Sequence, residues 1–377
     1  MEIIMIIKNA DVFCEDGGFR TKDICTDGER ISSFSDSDEI LDAQDCYAVP
    51  GLIDIHFHGC VGYDFCDGTE KAIREIASYE AENGVLAICP ATMTLPEETL
   101  MTIAEAAAAY QGDSGADLVG INMEGPFINE AKKGAQNPAY IHKPDVEMYE
   151  RLQKASNGLF KLVDIAPETE GAMEFIRQVK DEAVISIAHT AADYDTAVKA
   201  IENGVSHVTH LYNAMPGYSH RAPGVIGAAC DHGLDVELIC DGIHIHPSAV
   251  RTTFKMFGDD KIILISDSMM ATGMEDGTYQ LGGQDVKVVG NLATLAEGGA
   301  IAGSATNLMD CLRTAVKAMG IPLNSAVKCA TENPAKSIGI YDSYGSISEG
   351  KYANVVLLDK DLDIKAIIKK GKILKQN

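Results

Sequence analysis

The feature that most constrains the fold is an alternation of strand-like and helix-like segments through the middle of the chain. Eight apolar runs have the length of buried strands, and stretches with helical periodicity separate most of them. The runs are 52–58, 85–89, 118–124, 160–165, 184–189, 207–211, 235–240 and 261–267, and the clear helix candidates are 70–83, 97–110, 171–181, 193–203 and 304–319. Eight strands alternating with helices predict a closed parallel (β/α)8 or TIM barrel. The link between strands six and seven reads as poorly helical, and a doubly wound open sheet is the structural alternative.

Both ends of the chain read differently from its middle. Short strand-like runs separated by Asp-Gly and other turn sequences fill residues 1–50, and the same pattern returns after residue 344. We therefore predict a small β-sandwich domain built from residues 1–51 and 345–377, with a barrel domain over residues 52–344. Residues 286–295 lie between two Gly-Gly pairs and predict a hairpin inserted after the eighth strand. Gly303-Ser304 opens the last predicted helix and is a candidate either for capping it or for contacting the substrate.

The charge of the chain excludes some partners. The sequence has 377 residues, with 31 Lys and Arg against 56 Asp and Glu, which gives a formal net charge of −25. Such a field repels nucleic-acid phosphates and anionic lipid surfaces, so we expect neither nucleic acid nor membrane as a partner. An anionic small molecule would need a local cluster of positive groups.

The cysteines indicate the compartment. Ten cysteines are scattered without a Cys-x-x-Cys pair or a regular spacing. That distribution is typical of reduced thiols in a long intracellular chain rather than of a disulfide framework. No stretch of sequence has the eighteen or so apolar residues that a membrane span needs. We expect a cytoplasmic protein.

Polar residues of metal-binding type stand at the ends of the predicted strands. In barrels of this kind the functional groups gather where the strands end. The residues are His56 and His58 after the first strand, Glu124 after the third, His189 and His210 after the fifth and sixth, Asp241 and His244 after the seventh, and Asp267 after the eighth. Any one of these histidines alone is more simply a core residue bonded to backbone. Together they predict a catalytic metal site, because buried ionisable groups need a partner or an ion and a structural zinc site would use cysteine.

The residues around these positions resemble the amidohydrolase superfamily. The run from Pro50 to Gly59, a barrel Glu, two later histidines and a final Asp carry that likeness. Within the superfamily the chain is similar to the N-acetylglucosamine-6-phosphate deacetylase family through Glu-Gly-Pro-Phe at 124–127, Thr-His-Leu-Tyr-Asn-Ala-Met at 209–215, Asp-Gly-Ile-His at 241–244 and Ser-Asp-Ser at 266–268. The resemblance runs from about residue 49 to residue 359.

The resemblance implies a set of metal ligands and an acid–base residue. Glu124, His189 and His210 would hold a principal divalent ion, and His56 and His58 would supply a second ion that Glu124 bridges. One or two ions per chain are implied, of zinc, iron, manganese or cobalt. Asp267 would take a proton from the attacking water and return it to the leaving amine, as a positioned carboxylate can.

The resemblance also implies the substrate contacts and the reaction. His244 would bind the oxyanion or the sugar, and Asn213, Ala214 and Arg221 would bind the 6-phosphate, with Arg221 acting in its own subunit or in a partner's. Relatives commonly place a histidine after Lys-Gly-Ala at 133–135, where this chain has Gln136, so the preference among amino-sugar epimers stays open. The implied reaction is deacetylation of N-acetylglucosamine 6-phosphate in amino-sugar catabolism by a homodimer or higher homo-oligomer.

Two other functions are compatible with the sequence. One is a related amidohydrolase, such as an N-acetylgalactosamine-6-phosphate deacetylase or a D-aminoacylase. The other is a non-catalytic interaction protein that descends from such enzymes. The second is disfavoured because the predicted metal ligands and Asp267 are all in place.

Overall fold

Parallel strands and helices alternate through the middle of the chain, as predicted. The computed structural model describes residues 5–34, 37–112 and 114–376. Its helices are α1 (Glu70–Glu82), α2 (Glu97–Ala109), α3 (Val146–Ala155), α4 (Ala172–Val179), α5 (Tyr194–Asn203), α6 (Gly224–His232), α7 (Pro247–Phe257), α8 (Leu308–Lys317), α9 (Leu323–Ala330) and α10 (Glu332–Ser337). Within these described ranges, no helix is both long enough and apolar enough to cross a membrane.

Among the described residues, the strands fall into four larger sheets and one two-stranded ribbon. In chain order they are β1 (Ile6–Phe13), β2 (Phe19–Asp27), β3 (Arg30–Ser32), β4 (Ile40–Asp42), β5 (Tyr47–Pro50), β6 (Leu52–Asp54), β7 (Gly59–Cys60), β8 (Tyr63–Asp64), β9 (Val85–Ile88), β10 (Asp117–Leu118), β11 (Ile121–Met123), β12 (Phe160–Ile165), β13 (Val184–Ile187), β14 (His207–Val208), β15 (Asp235–Ile239), β16 (Ile262–Ile265), β17 (Gly277–Leu281), β18 (Gln284–Val289), β19 (Leu292–Leu295), β20 (Val355–Leu358), β21 (Ile364–Lys369) and β22 (Lys372–Gln376). The central strands form two parallel groups, β10-β9-β6 and β11-β12-β13-β14-β15-β16.

The order of the second group follows the chain without a reversal. A doubly wound sheet changes direction at a switch point, so this group does not have that topology. The strands are buried on both faces, as parallel strands covered by helices should be. In β16, for example, Ile262 and Leu264 belong to the core between the strands and the helices. Ile263 and Ile265 belong to a second hydrophobic cluster on the opposite face of the strand.

The link between β14 and β15 contains a helix that the sequence does not predict. Residues Gly224–His232 form α6, so the expectation of a poorly helical link is wrong. Two glycines lower the intrinsic helix propensity of this segment. Burial of Val225, Ile226 and Ala229 supplies the stabilisation that propensity lacks.

The two chain ends join in one mixed sheet. The order is β22-β21-β20-β5-β1-β2-β3, and β4 pairs with β1. Antiparallel pairing of β5 with β20 brings the ends together. A separate hydrophobic cluster, which includes Met5, Ile7, Ile24, Val355 and Ile368, belongs to this sheet.

A small antiparallel sheet follows β16. Residues 286–295 form the predicted hairpin, in which Val286 pairs with Leu295, and β17 adds a third strand. This sheet packs on Met93 and Met269 beside the ends of the parallel strands. The predicted cap at Gly303-Ser304 is wrong, because α8 begins at Leu308 and Asn307 caps it. All ten cysteines are free thiols.

Candidate metal centre

The predicted ligands lie just beyond the carboxyl ends of the parallel strands. β13, β14 and β16 stop two residues before His189, His210 and Asp267 respectively. These three residues have φ values of 43°, 29° and 49°, in the left-handed region that extended strands do not use. Strained residues of this kind often occur at functional sites, and here the turn directs each side chain into one cavity.

Glu124, His189 and His210 form the first ligand group. Glu124 Oε1 lies 2.9 Å from His189 Nε2 and 3.2 Å from His210 Nε2. The two Nε2 atoms are themselves 3.2 Å apart. All three residues are buried, and their ligand atoms lie within 4.8 Å of one another.

His56, His58 and Glu124 form the second ligand group. Their ligand atoms also lie within 4.8 Å of one another. Glu124 Oε1 is 3.6 Å from His56 Nε2, and Glu124 Oε2 is 3.3 Å from His58 Nε2. Glu124 is therefore shared between both groups.

Asp267 lies against the second group. Its Oδ1 atom is 3.4 Å from His58 Nε2 and 3.8 Å from His56 Nε2. Burial raises the pKa of the Asp267 carboxyl, but the nearby His58 and His56 imidazoles outweigh that effect and hold the pKa below its usual range. The residue is ionised and can accept a proton.

The electrostatics of Glu124 have the same origin. Burial opposes ionisation of this carboxyl, yet the imidazoles of His56, His189 and His210 hold its pKa well below the usual range. An anionic carboxylate with imidazoles on both sides is a typical ligand set for a divalent ion.

The hydrogen bonds leave ligand lone pairs facing inward. His189 Nδ1 lies 2.8 Å from the carbonyl oxygen of Lys132 and donates to it, which directs Nε2 toward Glu124, where it would bind an ion. His56 Nε2 and Glu124 Oε2 are buried and have no hydrogen-bond partner among the described residues. Unpaired buried polar atoms are unfavourable, and a divalent ion would satisfy both. The residues present therefore fit such an ion.

His244 faces the same cavity and is oriented by Asp241. His244 Nδ1 is 2.7 Å from Asp241 Oδ2, while Asp241 Oδ1 accepts hydrogen bonds from the backbone amides of Ile243 and His244 at 2.8 and 2.9 Å. Burial lowers the pKa of His244, but the hydrogen bond that His244 donates to Asp241 and the charge of that carboxylate more than compensate, so the pKa is raised. His244 is thus presented as a donor to the cavity.

The cavity has a volume of about 320 Å³. Its wall includes most of the predicted residues: His58, Glu124, Gln136, His189, His210, Asn213, Ala214, His244 and Asp267. Gln136 is buried, and its Oε1 atom accepts a hydrogen bond of 2.7 Å from the amide of Thr94. Leu281 and Ile301 extend the wall with apolar surface from the segment after β16.

Arg221 is the predicted site residue that the structure places elsewhere. It is exposed, and it lines a separate surface hollow with Asp193, Tyr194 and Pro216. Lys132, which the motifs do not single out, also lines the cavity that holds the candidate ligands.

Two buried residues near the site are not evident from the motifs. Glu237 and His207 are fully buried and hydrogen-bonded to each other at 3.0 Å. The signal that could have revealed them is a charged residue within the apolar strand β15, since a buried carboxylate needs partners.

Parallel strands that end in histidines and carboxylates around one cavity are typical of metal-dependent hydrolases. The sequence profile described as "Amidohydrolase family" matches residues 47–374. The chain belongs to this family.

Two curated relatives are deacetylases of phosphorylated amino sugars. The chain is 38% identical to the N-acetylglucosamine-6-phosphate deacetylase of Bacillus subtilis, over 98% of this chain and 93% of that protein. It is 34% identical to the N-acetylgalactosamine-6-phosphate deacetylase of Escherichia coli O157:H7, over 86% of each protein.

A solved structure has the same fold throughout. It is a mutant of the N-acetyl-D-glucosamine-6-phosphate deacetylase of Mycobacterium smegmatis in complex with N-acetyl-D-glucosamine-6-phosphate. The TM-score is 0.91 at 30% identity, with 99% of both chains covered.

Proposed function

We propose that this chain is a metal-dependent deacetylase that hydrolyses N-acetylglucosamine 6-phosphate to glucosamine 6-phosphate and acetate. The observation that carries the proposal is the meeting of two His/Glu ligand groups at one cavity, which His58, Glu124, His189, His210 and Asp267 line and against which His56 is buried. That cavity occurs in a chain that is 38% identical to a deacetylase of this sugar over nearly its whole length.

The ligand assignment follows the two groups. Glu124, His189 and His210 would hold one divalent ion, and His56 and His58 would hold a second that shares Glu124. A bound divalent ion polarises a carbonyl and lowers the pKa of water toward about 7. Nitrogen and oxygen ligands of this kind suit zinc, iron, manganese or cobalt.

Asp267 is the acid–base residue of the proposal. Its ionised carboxylate accepts a proton from the water that attacks the acetamide, and it then donates that proton to the departing amine. His244, held by Asp241, donates a hydrogen bond to the oxygen on which negative charge develops.

The phosphate contacts combine groups of one chain with a group of a partner. Asn213 and Ala214 line the cavity, and Lys132 adds a positive side chain to its wall. Arg221 lies outside this cavity, so it would reach the phosphate in a neighbouring copy of the chain. The proposal therefore includes a homodimer or a higher homo-oligomer.

N-acetylgalactosamine 6-phosphate is the alternative substrate. Gln136 occupies the position where relatives commonly have a histidine that contacts sugar hydroxyls. Its oxygen already accepts from Thr94 and its Nε2 atom donates to Met93 Sδ at 3.6 Å, so one amide N–H remains for a ligand. The 34% identical galactosamine relative keeps this alternative open.

We also infer the architecture around the site. The two parallel groups would close into one eight-stranded barrel over residues 52–344, in which β10 and β11 count as one interrupted strand. Supporting contacts are a parallel bridge between Ala91 and Asn122 at one seam and a 3.0 Å bond from Asp267 N to His56 O at the other. Residues 1–51 and 345–377 would fold over their own hydrophobic cluster as the sandwich domain, and we propose a cytoplasmic location.

The proposal is tested by metal analysis together with an acetate-release assay. We expect at least one ion per chain, and kcat/KM should be far higher for the two 6-phosphorylated N-acetylhexosamines than for the unphosphorylated sugars. A chain that carries metal but releases no acetate from either phosphorylated sugar would overturn the function. Equal rates with and without phosphate would overturn the phosphate assignment.

The role of Arg221 is tested by complementation. Arg221→Ala should raise KM for the phosphorylated sugar and leave the unphosphorylated sugar unaffected. Asp267→Asn chains should be inactive. When the two variants are mixed, an Arg221→Ala chain regains Arg221 from its Asp267→Asn partner, so activity should recover if the arginine acts between subunits. An oligomer that mixes without recovery would contradict this assignment.

A further inference from the structure

One buried carboxylate contacts a residue of each ligand group on the side that faces away from the cavity. Glu237 on β15 has no exposed surface. Its Oε2 atom lies 3.2 Å from His56 Nδ1 and accepts a 3.0 Å hydrogen bond from the backbone amide of His210. The same oxygen therefore contacts one residue from each proposed ion site.

The other oxygen of Glu237 is held by a residue outside the site. Glu237 Oε1 is 3.0 Å from His207 Nε2, and His207 Nδ1 is 3.0 Å from the hydroxyl of Ser337 at the end of α10. If Ser337 donates its hydroxyl proton to His207, then His207 donates from Nε2 to Glu237. The carboxylate cannot rotate without losing one of these bonds.

His56 Nδ1 lies 3.2 Å from Glu237 Oε2 and 3.3 Å from Asn122 Nδ2. Because the amide nitrogen can only donate, the carboxylate is the group that can accept a proton from His56 Nδ1. An imidazole that donates from Nδ1 to a carboxylate keeps its Nε2 lone pair free. His56 Nε2 is the buried atom that lacks a partner, and it faces Glu124 at 3.6 Å. A carboxylate behind a ligand imidazole fixes its tautomer and orientation and increases its basicity.

We propose that Glu237, held in place by His207 and Ser337, is a positioning residue that orients His56 and thereby secures the second metal ion. This inference rests on the proposed function, because it presupposes the two metal ions proposed above. Glu237 touches neither the cavity nor the reacting atoms.

A merely structural role makes a different prediction. If Glu237 only fastens β15 to its neighbours, its substitution would lower the free energy of unfolding. It would not weaken the binding of one metal ion more than that of the other. A positioning role should remove one ion preferentially. Metal stoichiometry therefore separates the two roles.

The experiment compares wild type with Glu237→Gln, which preserves the side-chain volume and can still accept from His210 and His56. Both proteins are dialysed against graded buffered Zn²⁺, and bound metal per chain is measured with thermal stability. We expect the weaker Zn²⁺ site of Glu237→Gln to lose about 10- to 100-fold in affinity, so that one ion remains where wild type holds two. Visible spectra of the Co²⁺-loaded proteins should show the same loss.

A matched control and a second variant complete the test. Asp164→Asn changes another fully buried barrel carboxylate, which accepts from Thr209 at 2.7 Å, and it should retain both ions. His207→Gln leaves the carboxylate charge in place but loosens it, and it should weaken the same ion by a smaller factor. If Glu237→Gln fails to fold, His207→Gln decides the question.

The outcomes distinguish this inference from the function it rests on. Two ions bound by Glu237→Gln with wild-type affinity would overturn the positioning role and leave the deacetylase proposal intact. A wild-type chain that binds one ion would overturn the inference alone. A wild-type chain that binds none would overturn the proposed function, and the inference with it.

Discussion

At the scale of single residues, the motifs identify the side chains of the candidate site. They do not show which of these side chains contact one another. Asp267 is identified by its place after the eighth strand. Its contact with His58 at 3.4 Å requires that the parallel strands β6 and β16 end side by side. The two ligand groups do not include Asp267, so its charge can be removed without removing a ligand from either group.

We therefore expect Asp267→Asn to keep its metal and lose turnover. Removing a positioned acid–base group reduces the rate by about 10²- to 10⁴-fold. Metal content and kcat for acetate release, measured on the same preparation, check the prediction. Near-normal kcat with metal bound would refute the proton-transfer role.

A second residue, Glu80, is expected to lower the free energy of unfolding at neutral pH. Glu80 on α1 is completely buried, and neither carboxylate oxygen has a partner among the described residues. Burial raises the pKa of this carboxyl well above its usual range. Above an unfolded pKa of 4.5 the folded state keeps a proton that the unfolded state releases, so this residue makes stability fall as pH rises.

Glu80→Gln should remove that dependence. Relative to wild type, its free energy of unfolding should gain about 1.4 kcal/mol for each pH unit above the unfolded pKa, up to the folded pKa. The two proteins should agree at more acidic pH. Denaturant unfolding of the metal-free proteins measures this, and Glu75→Gln on the exposed face of α1 is the control. A difference that does not change with pH would contradict the prediction.

At the scale of elements, the sequence predicts the middle strands and helices well because their patterns are local. The predicted run 160–165 coincides with β12, and α1 ends one residue before the predicted end. The helix α6 is missed because its stability comes from burial rather than from propensity. The start of α8 is misplaced because Asn307 supplies the cap, whereas the Ser304 hydroxyl donates to the carbonyl of Ser266 at 2.6 Å and accepts from the amide of Thr306 at 3.3 Å, before the helix begins.

The cap of α8 provides a test at this scale. Asn307 Oδ1 accepts a 2.9 Å bond from the amide of Asp310, so Asn307→Ala should lower the free energy of unfolding by about 1 kcal/mol. Asn307→Ser, which keeps an acceptor, should recover most of that loss. Denaturant titration of wild type and the two variants measures these free energies of unfolding. Equal stability of the Ala and Ser variants would mean that the side-chain cap does not stabilise the helix.

At the scale of the whole molecule, one ionic cluster ties the sheet built from the chain ends to the parallel strands. Asp117 on β10 lies 2.9 Å from Lys369 and 3.0 Å from Lys370, and it accepts a 2.9 Å bond from Tyr344. The Lys369 side chain is only 5% exposed. Its charge therefore depends on Asp117, because an unpaired buried charge is strongly unfavourable.

Asp117→Asn should destabilise the protein by about 3 kcal/mol, since it leaves Lys369 buried without a counter-ion. Lys370→Gln removes the more exposed partner of the same carboxylate and should change stability by less than about 1 kcal/mol. Thermal or denaturant unfolding of both variants measures the contrast. Equal effects would show that burial of Lys369 does not set the strength of this contact.

The sequence by itself determined the alternation of strands and helices, and it predicted the candidate metal ligands and the candidate acid–base residue, because these depend on local periodicity and on motifs. Only the tertiary structure decided that Glu124 is shared, that Glu237 lies behind His56, and that Arg221 lies outside the cavity. Those relations join residues far apart in the chain, so they are set by how the strands associate and by left-handed turns at their ends. Local patterns carry no information about either.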